Sequence, residues 1–599
     1  VTINSDISRS TVIPGVYGQI SLSSGSKSLG NTTKGILLVG YKASGGIAAY
    51  NVPVEVTGDA DINAQVGMNS DLAEDARAAF DTPGVRGTVK VQLLPIPAPT
   101  GGVAQILTMS VVSAPTSGAA PGSNTAATAS GQWLLYIDGH VHAIAIVLGD
   151  TLATVAATAV AAIADDLQLR WSAADTGSGN FTLTCRHTGK TGLDGVVRID
   201  YGDTDVGLRL SPGTLTFTGT TSATGTSLIN VGAQTVSTAI ANPSTPTLSA
   251  TTVAASVNAG GYAVTAASLV GAVTLYLAHL RDYRFATTSL TGATGQTVAG
   301  VFGTAGSGDP DLTTALNIMA GQPSVTFWAT RLVHSSPLGA LVGHITTYNN
   351  GKFQKSQILC VNSAQSGSAW GSVISGTSPN MTAAPQYWNV AWNQPDAPES
   401  QSNLAVRLAG YMASLDYVAL NMDRVLVRTL GQAPLLIPAV GSRPDPDTRN
   451  ADMLSLGISP IVVFSDNQNH VDSAKTTIIR ATASDVRTCE LSCIRSALYQ
   501  RAYINAAVDQ LLFTDDGGKN FRADGEVHTP YVVTADQVTQ CIINALRELS
   551  NRDVIQNVEA NKDLVQFSAE PGDPTVINYF IPFDPVVPLH IFNYKQALV

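Results

Sequence analysis

Lys34-Gly-Ile-Leu-Leu-Val-Gly-Tyr41 is a short, almost wholly apolar run, too brief for a buried helix and without polar alternation. That pattern marks a strand covered on both faces, as strands of parallel sheets are. Working outward, Asp71 with Glu74 opens a helix through Phe80, and Thr88-Val-Lys-Val-Gln-Leu-Leu94 supplies the next strand. Far downstream the alternation resumes. A helix starts at Asp309 or Asp311, followed by a strand over 324–329, a helix after Ser336, a strand over 357–361, a helix over 400–415 and a strand over 460–464. Strand and helix alternating in this way imply a mostly parallel sheet with helices on its faces.

Between these halves lies a block of different composition. Residues 101–300 hold seven Arg/Lys, ten Asp and no Glu, about half the charge density of the flanks, which marks an insertion. The block repeats itself. Gly131-Gln-Trp-Leu-Leu-Tyr-Ile137, the turn pair Asp138-Gly139 and His140-Val-His-Ala-Ile-Ala-Ile146 are followed by an Ala-rich helix capped near Asp150 or Thr151 and by Phe181-Thr-Leu-Thr-Cys185. The order returns 94 residues later with Gly225-Thr-Ser-Leu-Ile-Asn-Val231, then 236–240, 252–257, 264–267 and 273–277. The lead-in strands Ile106-Leu-Thr-Met and Leu215-Thr-Phe-Thr also match. Two tandem copies of a small α+β unit are expected, each a hairpin, a helix and a further hairpin.

The last segment reads as α+β. A long helix is expected over 484–512, and a second from the capping box Thr534-Ala-Asp-Gln537, with Val538, Cys541, Ile542, Ala545, Leu546 and Leu549 on one stripe. Strands are expected over 554–569, 576–580 and 586–594. The domains are therefore an N-terminal arm, 1–25; the first part of a core, 26–102; the inserted copies, 103–205 and 206–303; the rest of the α/β core, 304–479; and a C-terminal α+β domain with a terminal strand arm, 480–599.

Composition excludes some classes of function. The chain has 599 residues, 44% hydrophobic and 13% charged, with a net charge of −11 and no long Lys/Arg run, which argues against a nucleic-acid partner. VTINSDISRS at the start lacks the apolar core of a signal peptide, and the apolar stretch 143–164 is interrupted by Gly149-Asp150-Thr151, so neither secretion nor membrane insertion is expected. Cys185, Cys360, Cys489, Cys493 and Cys541 are too sparse for a disulfide scaffold and read as buried reduced thiols of a protein made in a cytoplasm. Cys489 and Cys493 share a helix face at i, i+4 without further ligands nearby.

Other constellations are weak. His140 and His142 share a strand face but lack a third ligand, and read as solvated histidines. Asp445, Asp447, Asn450 and Asp452 begin like a calcium loop until the sixth position, Asn450, is not Gly and the twelfth, Leu456, is not Glu. Asp515-Asp516-Gly517-Gly518 reads as a tight turn. No metal site and no cofactor is expected.

Set in order, further motifs resemble the contractile tail sheath protein of myophages, in the Mu-like branch, over nearly the whole chain. They are the arm Ile13-Pro14-Gly15-Val16-Tyr17, the run at 34–41 with Asn51-Val-Pro-Val-Glu-Val56, and Gly67-Met-Asn-Ser-Asp-Leu-Ala73. In the insertion come Leu-Tyr-Ile-Asp-Gly139 and the segment from Phe181 to Gly192. Gly308-Asp-Pro-Asp311, Asp445-Pro-Asp-Thr-Arg449, Ile478-Ile-Arg-Ala481, Gly525-Glu-Val-His-Thr-Pro530 and the closing stretch 577–592 complete the set. Thr482-Ala483-Ser484 replaces the usual Thr-Thr-Tyr. The resemblance implies a core of subtilisin-like topology, so a hydrolase is weighed. Gly376-Thr377-Ser378 imitates the serine motif and Gly343-His344 the histidine motif, but too few residues separate them and no Asp-Ser/Thr-Gly precedes, so no catalytic residue is expected.

What the resemblance implies is a virion structural protein, not an enzyme. It would polymerise in the host cytoplasm as hexameric rings stacked helically around a tail tube protein, meet baseplate and tail terminator proteins, and contract for genome ejection and host cell entry, without binding nucleic acid or membrane directly. Strand exchange between subunits is expected from Ile13, Pro14, Gly15, Val16 and Tyr17 and from Leu589, Ile591, Phe592 and Tyr594. Sheath and tube must part on contraction, which favours a small polar contact; Arg547, Glu548 and Arg552 are the candidates, with the loop 515–519 second. A sheath from a phage-like bacteriocin or injection machine fits the same motifs.

Overall fold

The computed structural model describes residues 33–586, apart from 117–119, 232–233, 324, 351–354, 384–387, 395–399, 415–442, 444, 464–468, 472–474, 484, 515–516, 523–528 and 571–572. The opening run forms the strand Thr33–Tyr41 near the middle of an eight-stranded sheet. In space the order is Val54–Val56, Lys90–Ile96, Thr33–Tyr41, Val325–Thr330, Ile358–Ser363, Asn389–Asn393, Ser459–Val463 and Asn469–Val471. The interior pairs are parallel and the two edge strands are antiparallel. Val325–Thr330 and Ile358–Ser363 are buried at every residue, because helices cover both faces. Trp328, Trp370 and Trp392 are fully buried around this sheet.

The helix Asp71–Phe80 begins where Ser70 accepts a hydrogen bond from the Ala73 amide, and it packs against the helix Gln401–Ser414. Its acidic first turn does not face water: Asp71, Glu74 and Asp75 are buried.

The block after residue 103 folds into two units of matching topology. In the first, Leu208–Ser211, Ala104–Ser113, Asn180–Thr188 and Trp171–Gly177 lie side by side; in the second, Thr297–Val301, Gly213–Thr218, Ala272–Leu277 and Val264–Leu269 take the same order. Opposite them stand Val197–Asp200, Gly131–Ile137 and His140–Ile146 in one unit and Ala286–Thr291, Gly225–Val231 and Gln234–Ile240 in the other. The helices Leu152–Ala164 and Pro246–Ala259 sit at equivalent places, each capped by a threonine, Thr151 or Thr245. The repeat is thus longer than a hairpin, a helix and a hairpin, since two further strands close each unit. The units also interlace. Leu208–Ser211, beyond the expected boundary at 205/206, pairs with Ala104–Ser113, and Asp282–Tyr283 pairs back onto Val197–Asp200. Both units share one apolar core. Chain enters and leaves at a single point, where Val103 and Ser307 exchange two backbone hydrogen bonds of 3.0 Å.

At the C-terminal end, the long helix spans Leu491–Leu512, with its expected first turns replaced by a 3₁₀ turn at Val486–Cys489 that Asp485 caps. The helix Ala535–Asn551 starts at a complete capping box between Thr534 and Gln537 and buries Val538, Ile542, Ala545, Leu546 and Leu549. The strand expected over 554–569 forms only at Gln566–Glu570. Asn557 adopts a left-handed conformation, and a helical turn, Val558–Asn561, follows it, so extended backbone cannot continue. Gln566–Glu570 pairs with Asp573–Phe580 as a two-stranded sheet.

Candidate interaction surface

The helices Leu491–Leu512 and Ala535–Asn551 pack together, and an open groove of about 730 Å³ runs between them, lined by Tyr503, Gln510, Asp536, Gln540, Asn544 and Glu548 among others. Of the three expected contact residues, Glu548 lines this groove, while Arg547 and Arg552 lie at the C-terminal end of the second helix and are not part of its lining. Arg547 is not a free cation: its Nε and Nη2 donate to the Glu559 carboxylate at 2.6 and 3.3 Å, which Lys562 also reaches at 2.9 Å. Hydrogen bonds from Arg547 and Lys562 pull the Glu559 carboxyl down to about 2. The Tyr503 hydroxyl donates to Glu548, and Arg552 donates to the Tyr499 hydroxyl at 2.9 Å while lying 4.9 Å over the Tyr503 ring. The patch is therefore a pre-formed polar network on two tyrosines. The expected arm residues Ile13, Pro14, Gly15, Val16, Tyr17, Leu589, Ile591, Phe592 and Tyr594 lie outside the described residues, as do Asp515 and Asp516.

The remaining candidates take structural roles. The half-buried His140 donates through Nδ1 to the Asp166 carboxylate at 2.7 Å and His142 is buried, so neither is the freely solvated histidine expected. His344 lies within the helix Ser335–Tyr348, with its ring 5.3 Å from Trp328 and 4.6 Å from Tyr348. Burial, reinforced by Lys355, pushes its imidazole down to about 4, which makes it a poor base. Thr377 hydrogen-bonds the Ile374 carbonyl and ends a helix, so the Gly376-Thr377-Ser378 motif is a helix terminus. Asp445 caps the helix Pro446–Ala451 through the amides of Asp447 and Thr448. Cys489 and Cys493 are buried, and burial raises the Cys493 thiol to about 12. No group of three or more metal-binding side chains occurs among the described residues.

A charged cluster at the junction of insertion and core was not legible beforehand. Arg170, fully buried, donates to Asp138 at 2.8 Å, to Asp194 at 2.8 Å and to the Thr191 carbonyl at 3.0 Å, and lies 3.6 Å from both Asp71 and Glu74 of the core. Arg331, at the end of a core strand, donates to Asp75 at 2.8 Å and reaches Asp194 of the insertion at 3.8 Å. Trp171 and the Val196 amide also donate to Asp138, while Ser402 and Asn403 bind Asp75 and Glu74. Burial pushes the Asp71 and Asp138 carboxyls up, but neighbouring positive charge outweighs it and holds both low; at Glu74 and Asp75 burial wins and both are raised. The available sequence signal was the three carboxylates in one helical turn; their partners, from Arg170 to Asn403, lie up to 329 residues away.

No family model matches the chain, and no curated protein matches it. Among solved structures it is similar to the sheath tail protein of Desulfitobacterium hafniense, with 12% identity over 88% of each chain and a TM-score of 0.36. The sheath tail protein of Listeria innocua is 9% identical over 91% of this chain and 90% of its own, with a TM-score of 0.38. The sheath of an extracellular contractile injection system in its contracted state is 10% identical over 48% of this chain and 74% of its own, with a TM-score of 0.32.

Proposed function

We propose that this chain is the structural subunit of a contractile tail sheath, of the Mu-like branch of myophages, polymerising around a tail tube and shortening to drive it through a host envelope. The observation that carries the reading is the order of sheath-like motifs along nearly the whole chain, from the Pro-Gly-Val-Tyr arm through the insertion to the closing strands. The C-terminal sheet supports it. Among the described residues Gln566–Glu570 and Asp573–Phe580 form only two strands, which is marginal in isolation, and each strand has an open edge to which arms of neighbouring subunits can add. Head-to-tail contacts of that kind need not close and so build helical arrays. The extended array is then a kinetically trapped state, and contraction moves near-rigid subunits while the arms stay joined, with no nucleotide or cofactor consumed.

Electron microscopy of the purified chain tests this. Tubes or stacked rings are expected from the full chain, and deletion of residues 1–22 should leave a folded monomer without them. A full chain that stays monomeric, or truncated protein that still forms tubes, would overturn the reading.

A further inference from the structure

Beyond its neck the insertion meets the core along a seam of buried titratable groups. The core helix Asp71–Phe80 brings Asp71, Glu74 and Asp75, with Arg331 beside them, and the first inserted unit brings Asp138, Arg170, His187 and Asp194. On each side carboxylates outnumber guanidiniums, so neither side neutralises itself. Pairs across the seam relieve the excess: Arg170 stands 3.6 Å from both Asp71 and Glu74, and Arg331 stands 3.8 Å from Asp194. The neck itself is rich in glycine on both chains, with Gly101-Gly102 before Val103 and with Gly306 and Gly308 around Ser307. Gly101 and Gly308 have φ of 70 and 99, which few other residues adopt. Two bodies joined at one pliable neck and held by a separate seam have the layout of a hinge.

His187 pins the seam. It lies in the inserted strand Asn180–Thr188, its ring is 5.7 Å from that of Tyr41 in the core, and its Nε2 accepts a hydrogen bond from the Asp71 amide at 3.4 Å. A ring nitrogen that accepts carries no proton, so this bond requires the neutral imidazole. Asp71 is the first residue of its helix. A proton on Nε2 would therefore remove the acceptor and also set positive charge against the positive end of the helix dipole. Burial holds the imidazole below its ordinary value; the Asp71 carboxylate opposes this, and Arg170, Arg331 and Arg186 reinforce it. His334, which precedes the core helix Ser335–Tyr348, is held low in the same sense, by burial and then by Lys190 of the insertion, against Asp309 and Asp194.

We propose that the seam is an acid-released latch: protonation of His187 frees the inserted block from the core, and the block then swings on the neck at Val103 and Ser307. A histidine held low when docked favours docking fully above its free value, about 6.5, and loses that contribution as pH falls below it. His334 adds to the response. Asp71 and Asp138, also held low, act in the same direction only in stronger acid, below the ordinary aspartate range. Glu74 and Asp75 are raised. Asp75 is bonded by Arg331 and Ser402, both of the core, so release changes it little. Glu74 loses Arg170 on release and takes up its proton on docking, so it opposes the histidines. The proposal concerns two bodies of one chain and is independent of the sheath reading.

Hydrogen exchange of the full chain at about pH 7 and about pH 5, corrected for the intrinsic pH dependence of exchange, tests it. On acidification the amides from Asp71 to Glu74 should exchange about tenfold faster, tenfold per pH unit being the limit for one proton. The core strand Ile358–Ser363 and the inserted strand Gly131–Ile137 should keep their protection, because both bodies stay folded. His187→Gln, whose side-chain oxygen can still accept the Asp71 amide but does not titrate, should lose most of the response, and His187→Gln with His334→Gln all of it. Glu74→Gln removes the opposing group and should steepen the response. Seam amides that stay protected at about pH 5, an equal response in His187→Gln, or loss of protection in Ile358–Ser363 along with the seam would overturn the proposal. If near-ultraviolet circular dichroism shows that His187→Gln misfolds, Glu74→Gln decides: an unchanged or shallower response would overturn the proposal.

Discussion

Asp138 shows how one residue gains its meaning from distant chain. In sequence it is half of an Asp-Gly turn, and it does sit in the turn at φ 50, yet its carboxylate also accepts from Arg170, Trp171 and the Val196 amide with no solvent contact. Asp138→Asn removes one of the carboxylates around Arg170, which keeps Asp194, so it should weaken a buried charged hydrogen bond and cost about 1–3 kcal/mol, read as a lowered thermal midpoint of the unit that holds Trp171. His344 belongs to the same scale. Its folded-state pKa, about 4, lies below its unfolded value of about 6.5, so it resists protonation only when folded. The stability it contributes is complete above the unfolded value and is lost as pH falls toward about 4. Between those limits the melting temperature should fall less in His344→Gln than in the parent chain; an identical fall would show that the ring does not carry this linkage.

At the scale of elements, the helix Ala535–Asn551 was the most legible, because its capping box and its apolar stripe both lie within one stretch of chain. Thr534→Ala removes the cap and should destabilise the helix by about 1 kcal/mol, measurable by hydrogen exchange of its first turn. The far end of the helix was legible only as charge. Arg547 and Arg552 are already engaged by Glu559, Tyr499 and Tyr503, so a tube contact there would use a rigid patch. Arg552→Glu together with Arg547→Glu should weaken co-sedimentation with tube protein, more at low salt than at high, while tube-free assemblies persist. Loss of those assemblies too would assign the patch to contacts between subunits. The strand expected over 554–569 does not form along that length because the turn at Asn557 and the helical residues after it interrupt the chain.

For the whole molecule, the block from 104 to 306 is joined to the core at one neck and meets it again beyond the neck, through the Lys190–Asp309 pair and the charged cluster. Val103 and Ser307 close its neck, so excising residues 104–306 and bridging the neck should leave a core that folds. That core should melt at a lower temperature than the full chain, because Asp71 and Glu74 lose Arg170 and Arg331 loses Asp194. An insoluble product would show that the insertion is part of the folding unit; an unchanged melting temperature would show that the charged cluster contributes nothing to holding it.

By itself the sequence determined what is local or periodic: the buried strand at 34–41, the helix opened by Asp71, the capping box at Thr534 and the 94-residue echo within the insertion. Each is written in propensity, capping or hydrophobic period, which neighbouring residues decide. Tertiary structure alone decided the interlacing of the two inserted units and the cluster around Arg170 and Arg331. These depend on which residues meet across long separations. A charged side chain reads as solvated until its partners arrive.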